Sequence, residues 1–438
     1  MPVPGWAPLV PLPAVVALLV VPPGAREGGT LADLASAVLV VFCLVRVVRA
    51  RARPLDRVAA VVLGLPVVGV CAAAVTAHDP AGALPGVVRY LQVFVLVPAA
   101  VVLLVRDRRD FALVGWAMVG LALVEGAVGV VQYATGTGAS YQGEDVRAVG
   151  TFGPADVMGM ATVVAYGLVV ALGIALGAPD RRARVAAGVC CGLLVVPLAV
   201  SFSRGAWIAT VLACGLQLAL AGVRRAVRIG LAAAALGVVL VAGFGVGSRM
   251  LEERVASVSQ VAAAPDQSVT DRYALWAAAA SMWRDEPVTG VGLKGFPQYR
   301  DGHASLALSS GSDTAGAGQG FIRQPLLSPH NMYLLVLAEQ GLLGVVTVVG
   351  SWLALLVCAL RRSAAPAGAA DCRSVAVGLL VWQLVDFAYA DIGGPSTVLT
   401  AVALGLAARW ALRPFQEAGG AVGGAVGGAA GGAVVARG

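Results

Sequence analysis

Three residues stand in settings that point to chemistry: His330, Arg204 and Arg272. His330 lies in Leu327-Ser-Pro-His-Asn-Met-Tyr333, at the head of a long apolar run. Ser328 suits an N-cap and Pro329 the first helical position, which puts His330 in a first helical turn. The positive helix end favours a neutral imidazole able to accept a proton, and the free N–H groups can hold an anionic oxygen. A histidine that merely caps or anchors the helix is the plainer alternative. Arg204 sits in Ser201-Phe-Ser-Arg-Gly-Ala-Trp207, a tight turn between two apolar runs. Its guanidinium offers paired donors to a phosphate, against the alternative of snorkelling to an interface.

Arg272 opens a stretch from Thr270 to Pro287 in which Arg272, Trp276, Ala279 and Trp283 share one face at helical spacing. That pattern predicts an amphipathic helix lying along a membrane surface. A packed helix with a solvated arginine fits the same spacing. Next comes Val288-Thr-Gly-Val-Gly-Leu-Lys-Gly-Phe296, a glycine-punctuated turn holding Lys294, the only lysine of the chain. Its glycines lack the strand-to-helix placement of a nucleotide phosphate loop. Arg89 and Glu125 fall at similar depth on successive apolar runs and are expected to form a structural ion pair. Glu339, just ahead of Gly341 and Gly344, reads as a structural group at a close helix crossing.

The elements that hold these residues follow from composition. Of 438 residues, 59% are apolar and 13% charged, against roughly 45–50% and about 25% in an ordinary soluble domain. A water-soluble fold could not hide that much apolar surface. The chain is therefore an integral membrane protein, for which no nucleic-acid partner is expected. The net charge of +7 matters less than where the cations fall. Runs long enough to span occur near 6–22, 31–48, 58–77, 84–105, 111–134, 156–177, 185–200, 205–221, 229–247, 330–360, 374–389 and 395–411. The expected fold is all-α, with about twelve transmembrane helices. Pro8, Pro11 and Pro13 make the first the weakest.

Arginine clusters follow every even-numbered run, as at Arg46 to Arg57, Arg106 to Arg109, Arg181 to Arg184, Arg224 to Arg228 and Arg361 to Arg373, with Arg409 and Arg413 closing the twelfth. By the positive-inside rule those ends face the cytoplasm. The expected organisation is transmembrane helices one to nine over 1–247, a large extracytoplasmic loop with its amphipathic helix over 248–329, helices ten to twelve over 330–412, and a flexible Gly/Ala-rich cytoplasmic tail over 413–438. His330, Arg204 and Arg272 then share the outer side. The seven cysteines show no metal-ligand or disulfide spacing, so no metal is expected. Met-Pro-Val-Pro-Gly-Trp at the start lacks a basic n-region and reads as retained.

Taken together, Ser203-Arg-Gly-Ala-Trp207, Arg272-Tyr-Ala-Leu-Trp276, Pro287 to Phe296 and Ser328-Pro-His-Asn-Met-Tyr through Gly344 resemble the O-antigen ligase and polymerase superfamily. Gln132-Tyr-Ala-Thr-Gly and Arg147-Ala-Val-Gly-Thr-Phe-Gly-Pro154 fit the same pattern, and the resemblance runs from about 110 to 360. One departure is Asp156, where an Asn is expected. The resemblance implies a GT-C-like, metal-independent and cofactor-free glycosyltransferase of the plasma membrane. Its donor would be a glycan on undecaprenyl diphosphate, and its acceptor a hydroxyl of a glycan, lipid or wall polymer at the outer face. By motif, Arg204 and Arg272 would hold the diphosphate and His330 would activate the acceptor or assist at the diphosphate. Arg147, Asn331 and Lys294 are possible substrate contacts. Ligase and polymerase share these motifs. A flippase for lipid-linked glycans is the rival from another class, and it would be expected to carry ionisable groups near the midplane on interrupted helices.

Overall fold

A computed structural model describes residues 9–22, 29–50, 54–141, 146–222, 224, 227–228, 267–362 and 369–415. Among the described residues, eight helical runs are long and apolar enough to cross a membrane. After a short α1 (Pro11–Leu18) come α2 (Leu31–Ala50) and α3 (Arg57–Val75). The run Pro80–Leu104 joins α4 (Pro80–Leu91), a π-helical turn (Gln92–Leu96) and α5 (Val97–Leu104). Then follow α6 (Arg108–Thr135), α7 (Gly159–Gly177), α8 (Arg181–Val200) and α9 (Arg204–Ala221). The long segment before α12 carries α10 (Gln267–Asp285) and α11 (Phe296–His303). The eighth run, Met332–Arg361, joins α12 (Met332–Gly344), a second π-helical turn (Val345–Val349) and α13 (Gly350–Arg361). Helices α14 (Ala370–Asp386) and α15 (Thr397–Leu412) complete the bundle.

Local chemistry starts many of these helices. Asp56, Asp107 and Asp180 each precede an arginine and accept a hydrogen bond from the backbone N–H three residues on, at 2.7, 2.9 and 3.0 Å. Such caps contribute about 1 kcal/mol each by satisfying helix-end donors. Among the eight long runs the most enclosed is α7, 89% of whose apolar window is buried. It is packed by α6, α8, α9 and α14. Helix α15 closes the other side against α5, α13 and α14.

The structure differs from the twelve-run expectation in particular places. Only eight residues of the first run are helical. Helices α14 and α15, at 17 and 16 residues, are shorter than the other runs. The expected ninth run, the start of the expected loop at 248–266 and the tail beyond Phe415 lie outside the described residues. The connections between helices are also not wholly helical. Strands β1 (Ala139–Tyr141), β2 (Ser312–Gly316) and β3 (Gln319–Gln324) form an antiparallel sheet in that order, tying the α6–α7 connection to the long segment before α12.

Helix α10 buries Asp271, Ala274, Leu275, Ala278, Ala279 and Met282, and it packs on α11 and α12. Its buried stripe is thus rotated from the expected one, with Arg272, Trp276 and Trp283 at one flank. Protein, rather than a membrane surface, covers its apolar face.

Candidate functional site

The helix after His330 begins later than expected. Asn331 is its N-cap, accepting from Leu334 N–H at 3.0 Å, while Ser328 donates to Asp391 and accepts from His330 N–H at 3.4 Å ahead of the helix. His330 therefore lies just outside α12, with a left-handed φ of +48°. For a side chain other than glycine that conformation costs roughly 1 kcal/mol or more and persists only where its surroundings impose it. Here they do. Met332 N–H donates to Phe387 O (2.8 Å) and Ala390 O (3.1 Å). Asn331 Nδ2 donates to Ala388 O at 3.1 Å, and Tyr333 OH to Leu384 O at 2.6 Å. From the other side, Trp276 Nε1 donates to Pro329 O at 2.9 Å. The His330 loop is stitched between α10 and the turn that follows α14.

That turn supplies a carboxylate. Asp391 Oδ2 accepts from Ser328 Oγ and lies 4.0 Å from His330 Nδ1. Removal from water pushes the His330 pKa below its ordinary value; Asp391 works against this and Arg272 works with it. The ring is neutral at neutral pH. The cause is desolvation, with help from Arg272. Arg272, Asp391 and Asp156 also lie within electrostatic range of the buried Asp386. Arg272 of α10 thus lies within electrostatic range of both His330 and the end of α14.

The start of α9, whose first residue is Arg204, packs beside the segment that leads to this turn. Ser203 caps that helix through Ala206 N–H at 3.2 Å. A Cβ placed on Gly205 would stand 3.2 Å from Tyr389 Cβ, so the helix start, with Arg204 as its first residue, packs against the segment before Asp391. Trp207 Nε1 closes the α8–α9 turn on Leu198 O at 2.8 Å. Arg147 is carried to this side, since Ala148 N–H donates to Val200 O at 3.4 Å. The arrangement offers guanidinium and helix-start donors for an anion beside a neutral imidazole.

Other expected residues sit differently. The Asn331 amide is spent on the cap and on Ala388, which makes it a positioning group. Lys294 is exposed with φ +62°, and its stem lies against Gly86 of α4. Glu339 accepts from Phe296 N–H at 3.3 Å and holds the start of α11, a structural role as read from the sequence. The expected Arg89–Glu125 pair is replaced. Arg89 pairs with Asp33 of α2, while Glu125 accepts from Thr151 N–H (2.9 Å) and Oγ1 (2.7 Å). Their helices take different neighbours: α6 packs on α7 and α8, whereas the α4–α5 run packs on α2, α3 and α15.

Sequence reasoning missed Asp391 and the engagement of Ser328. The one signal was an acid in the connection Asp391-Ile-Gly-Gly394 between the last two apolar runs, with nothing to pair it with His330. Asp156 is fully used, accepting from Ser396 N–H (3.2 Å) and Oγ (2.8 Å). Burial raises its pKa, and these hydrogen bonds oppose the rise. Among the described residues, no group of three or more His, Cys, Asp or Glu gathers as a metal ion would need.

The fold defines a multi-pass helical membrane protein in which Arg272 and Asp391 lie within electrostatic range of His330. Residues 189–349 match the family model described as O-antigen ligase, which supports the chain's resemblance to the O-antigen ligase superfamily over that stretch. The matched stretch runs from α8 through Arg204, α10 and His330 into the second π-helical turn. No curated protein matches the chain. The family is one of membrane enzymes, ligases and polymerases of the glycosyltransferase kind.

Proposed function

We propose that this protein transfers a glycan from an undecaprenyl-diphosphate carrier to an acceptor hydroxyl at the outer face of the plasma membrane, without a metal. The observation that carries the reading is the convergence of Arg272 and Asp391 on His330. In this reading His330 takes the acceptor's hydroxyl proton. The freed oxygen forms a bond to the sugar's anomeric carbon as the bond from that carbon to the diphosphate oxygen breaks. The leaving diphosphate keeps the electron pair, and Arg204, Arg272 and the α9 helix start stabilise its charge. The proton on His330 passes to water when product leaves. A neutral histidine suits this work near neutral pH.

One observation favours a transporter: α12 is interrupted at Gly341, with φ +60°, next to the buried Glu339. Interrupted helices build transporter sites when their freed backbone groups face a substrate. Here the protein's own loop fills the break. Leu342 N–H and Leu343 N–H donate to Pro287 O (2.9 Å) and Val288 O (3.1 Å), and Val291 N–H donates to Ala338 O (2.9 Å). Transfer is therefore the preferred reading.

The test is to follow a radiolabelled undecaprenyl-diphosphate glycan in membranes holding the protein, with His330→Ala alongside. Label leaving the lipid, and remaining on it in the variant, supports transfer. A ladder of products identifies a polymerase, and a single attached product a ligase. Label that changes leaflet while staying on its lipid overturns transfer in favour of a flippase.

A further inference from the structure

Arg89 and Asp33 do more than join two helices. Asp33 Oδ2 is held by Thr30 N–H and Oγ1, both at 2.9 Å. Its Oδ1 accepts from Arg89 Nη1 and from Gln92 Nε2 at 3.1 Å. Gln92 also accepts from Arg89 Nη1 at 3.0 Å and donates to Ser36 Oγ at 2.7 Å. Gln92 opens the first π-helical turn, a local widening of the helix that is frequent where function requires a side chain to be re-aimed. One arm of the guanidinium is thereby locked on α2 and the π turn. The other arm points to a different part of the molecule: Nη2 donates to Gly394 O at 3.0 Å.

Gly394 lies in the α14–α15 connection that carries Asp391. Its carbonyl also accepts from Thr397 N–H (3.1 Å) and Oγ1 (2.6 Å), but those bonds are local and close the turn onto α15. Arg89 ties the closed turn to α4. On the far side of Gly394, Ser396 is held by Asp156. The stretch 391–396 is thus gripped from two sides, and its free end presents the Asp391 carboxylate to Ser328 and His330.

We propose that Arg89 is a positioning residue: braced by Asp33 and Gln92, it holds the Gly394 carbonyl and so sets Asp391 against His330. The catalytic part of this inference rests on the transfer reading above. A flat guanidinium spans an acid and a carbonyl in fixed directions, which an ammonium does not.

The experiment uses the full-length protein carrying Ile392→Cys as parent, since Ile392 is only 8% exposed beside Asp391. Variants are the charge swap Asp33→Arg with Arg89→Asp, and Arg89→Lys should the swap fail to insert. Two quantities are read: labelling at position 392 by a membrane-impermeant maleimide, measured by mass spectrometry, and transfer kinetics. The swap keeps an ion pair between α2 and α4 but removes the donor that ties Gly394 to α4. Labelling is expected to rise about tenfold or more and kcat to fall about tenfold or more, with the donor KM within about twofold of the parent. Arg89→Lys is expected to change both in the same directions by less. A swap that labels and turns over like the parent reduces the pair to an interhelical brace and overturns the proposal, as does faster labelling with unchanged kcat. If no form transfers glycan, the parent included, yet labelling still rises, the anchor stands and the transfer reading has failed.

Discussion

His330 Nδ1 stands 4.0 Å from Asp391 Oδ2, and Ser328 Oγ donates to that same oxygen. The separation is too long for a hydrogen bond yet short enough for the carboxylate to act on the ring's charge. A catalytic histidine often tightens such a contact only when substrate is bound. Asp391 can thus steady an imidazolium formed during transfer without holding a proton on the ring beforehand.

Turnover that uses His330 as base needs the neutral ring. Desolvation and Arg272 hold its pKa below the ordinary value, and Asp391 pulls it up. The acidic limb of kcat/KM is expected below pH about 6.5. Asp391→Asn removes the upward pull and should move the limb lower still while reducing kcat. A limb that moves to higher pH in that variant contradicts the assignment. His330→Gln should lose about 10²-fold or more in turnover with unchanged membrane insertion.

Arg204 and Arg272 are proposed to meet charge that grows as the diphosphate leaves. Alanine at either position is expected to lower kcat by about 10²-fold at saturating donor. Lysine should recover only part of that loss, because it keeps the charge and gives up the planar pair of donors. Full activity in both lysine variants would show that a point charge is sufficient.

Gly341→Ala tests the break in α12. The residue has φ +60°, and a Cβ there would run into the Val288 carbonyl. Strain and crowding together are expected to destabilise by about 2 kcal/mol or more, seen as a lower melting temperature in detergent. Gly350→Ala is the control. A Cβ at that position, in the regular helix α13, meets nothing within 4 Å. Equal melting of the two variants would contradict the loop-filled break.

Asp156→Asn should be tolerated, since an amide oxygen can accept from Ser396 as the carboxylate does. Burial raises the Asp156 pKa in the folded protein, so the wild type loses stability as pH rises through the carboxyl's range. The amide has no such dependence. The variant's melting temperature is expected to exceed the wild type's by roughly 2 °C at neutral pH and to converge with it in acid. A gap that widens toward acid contradicts the sign.

Membrane class and most of the helical runs were legible in the sequence, because each depends on the apolar length needed to cross a bilayer. The types of His330, Arg204 and Arg272 marked them as candidates for the same reason: a cation or a titratable group beside an apolar run stands out in one dimension. The partner of each polar group was not legible. Rise per residue placed Arg89 and Glu125 at one depth, but depth does not say which helices touch, and Arg89 found Asp33 while Glu125 found Thr151. The sequence pointed to Ser328 as the cap of the helix after His330. In the fold the helix starts later, capped by Asn331, and Ser328 instead donates to Asp391 of the α14–α15 connection. In a membrane bundle the lipid-facing and protein-facing sides of a helix are equally apolar, so sequence pattern carries little information about neighbours. The packing of α14 and α15 against the other helices decided which carboxylate faces the histidine.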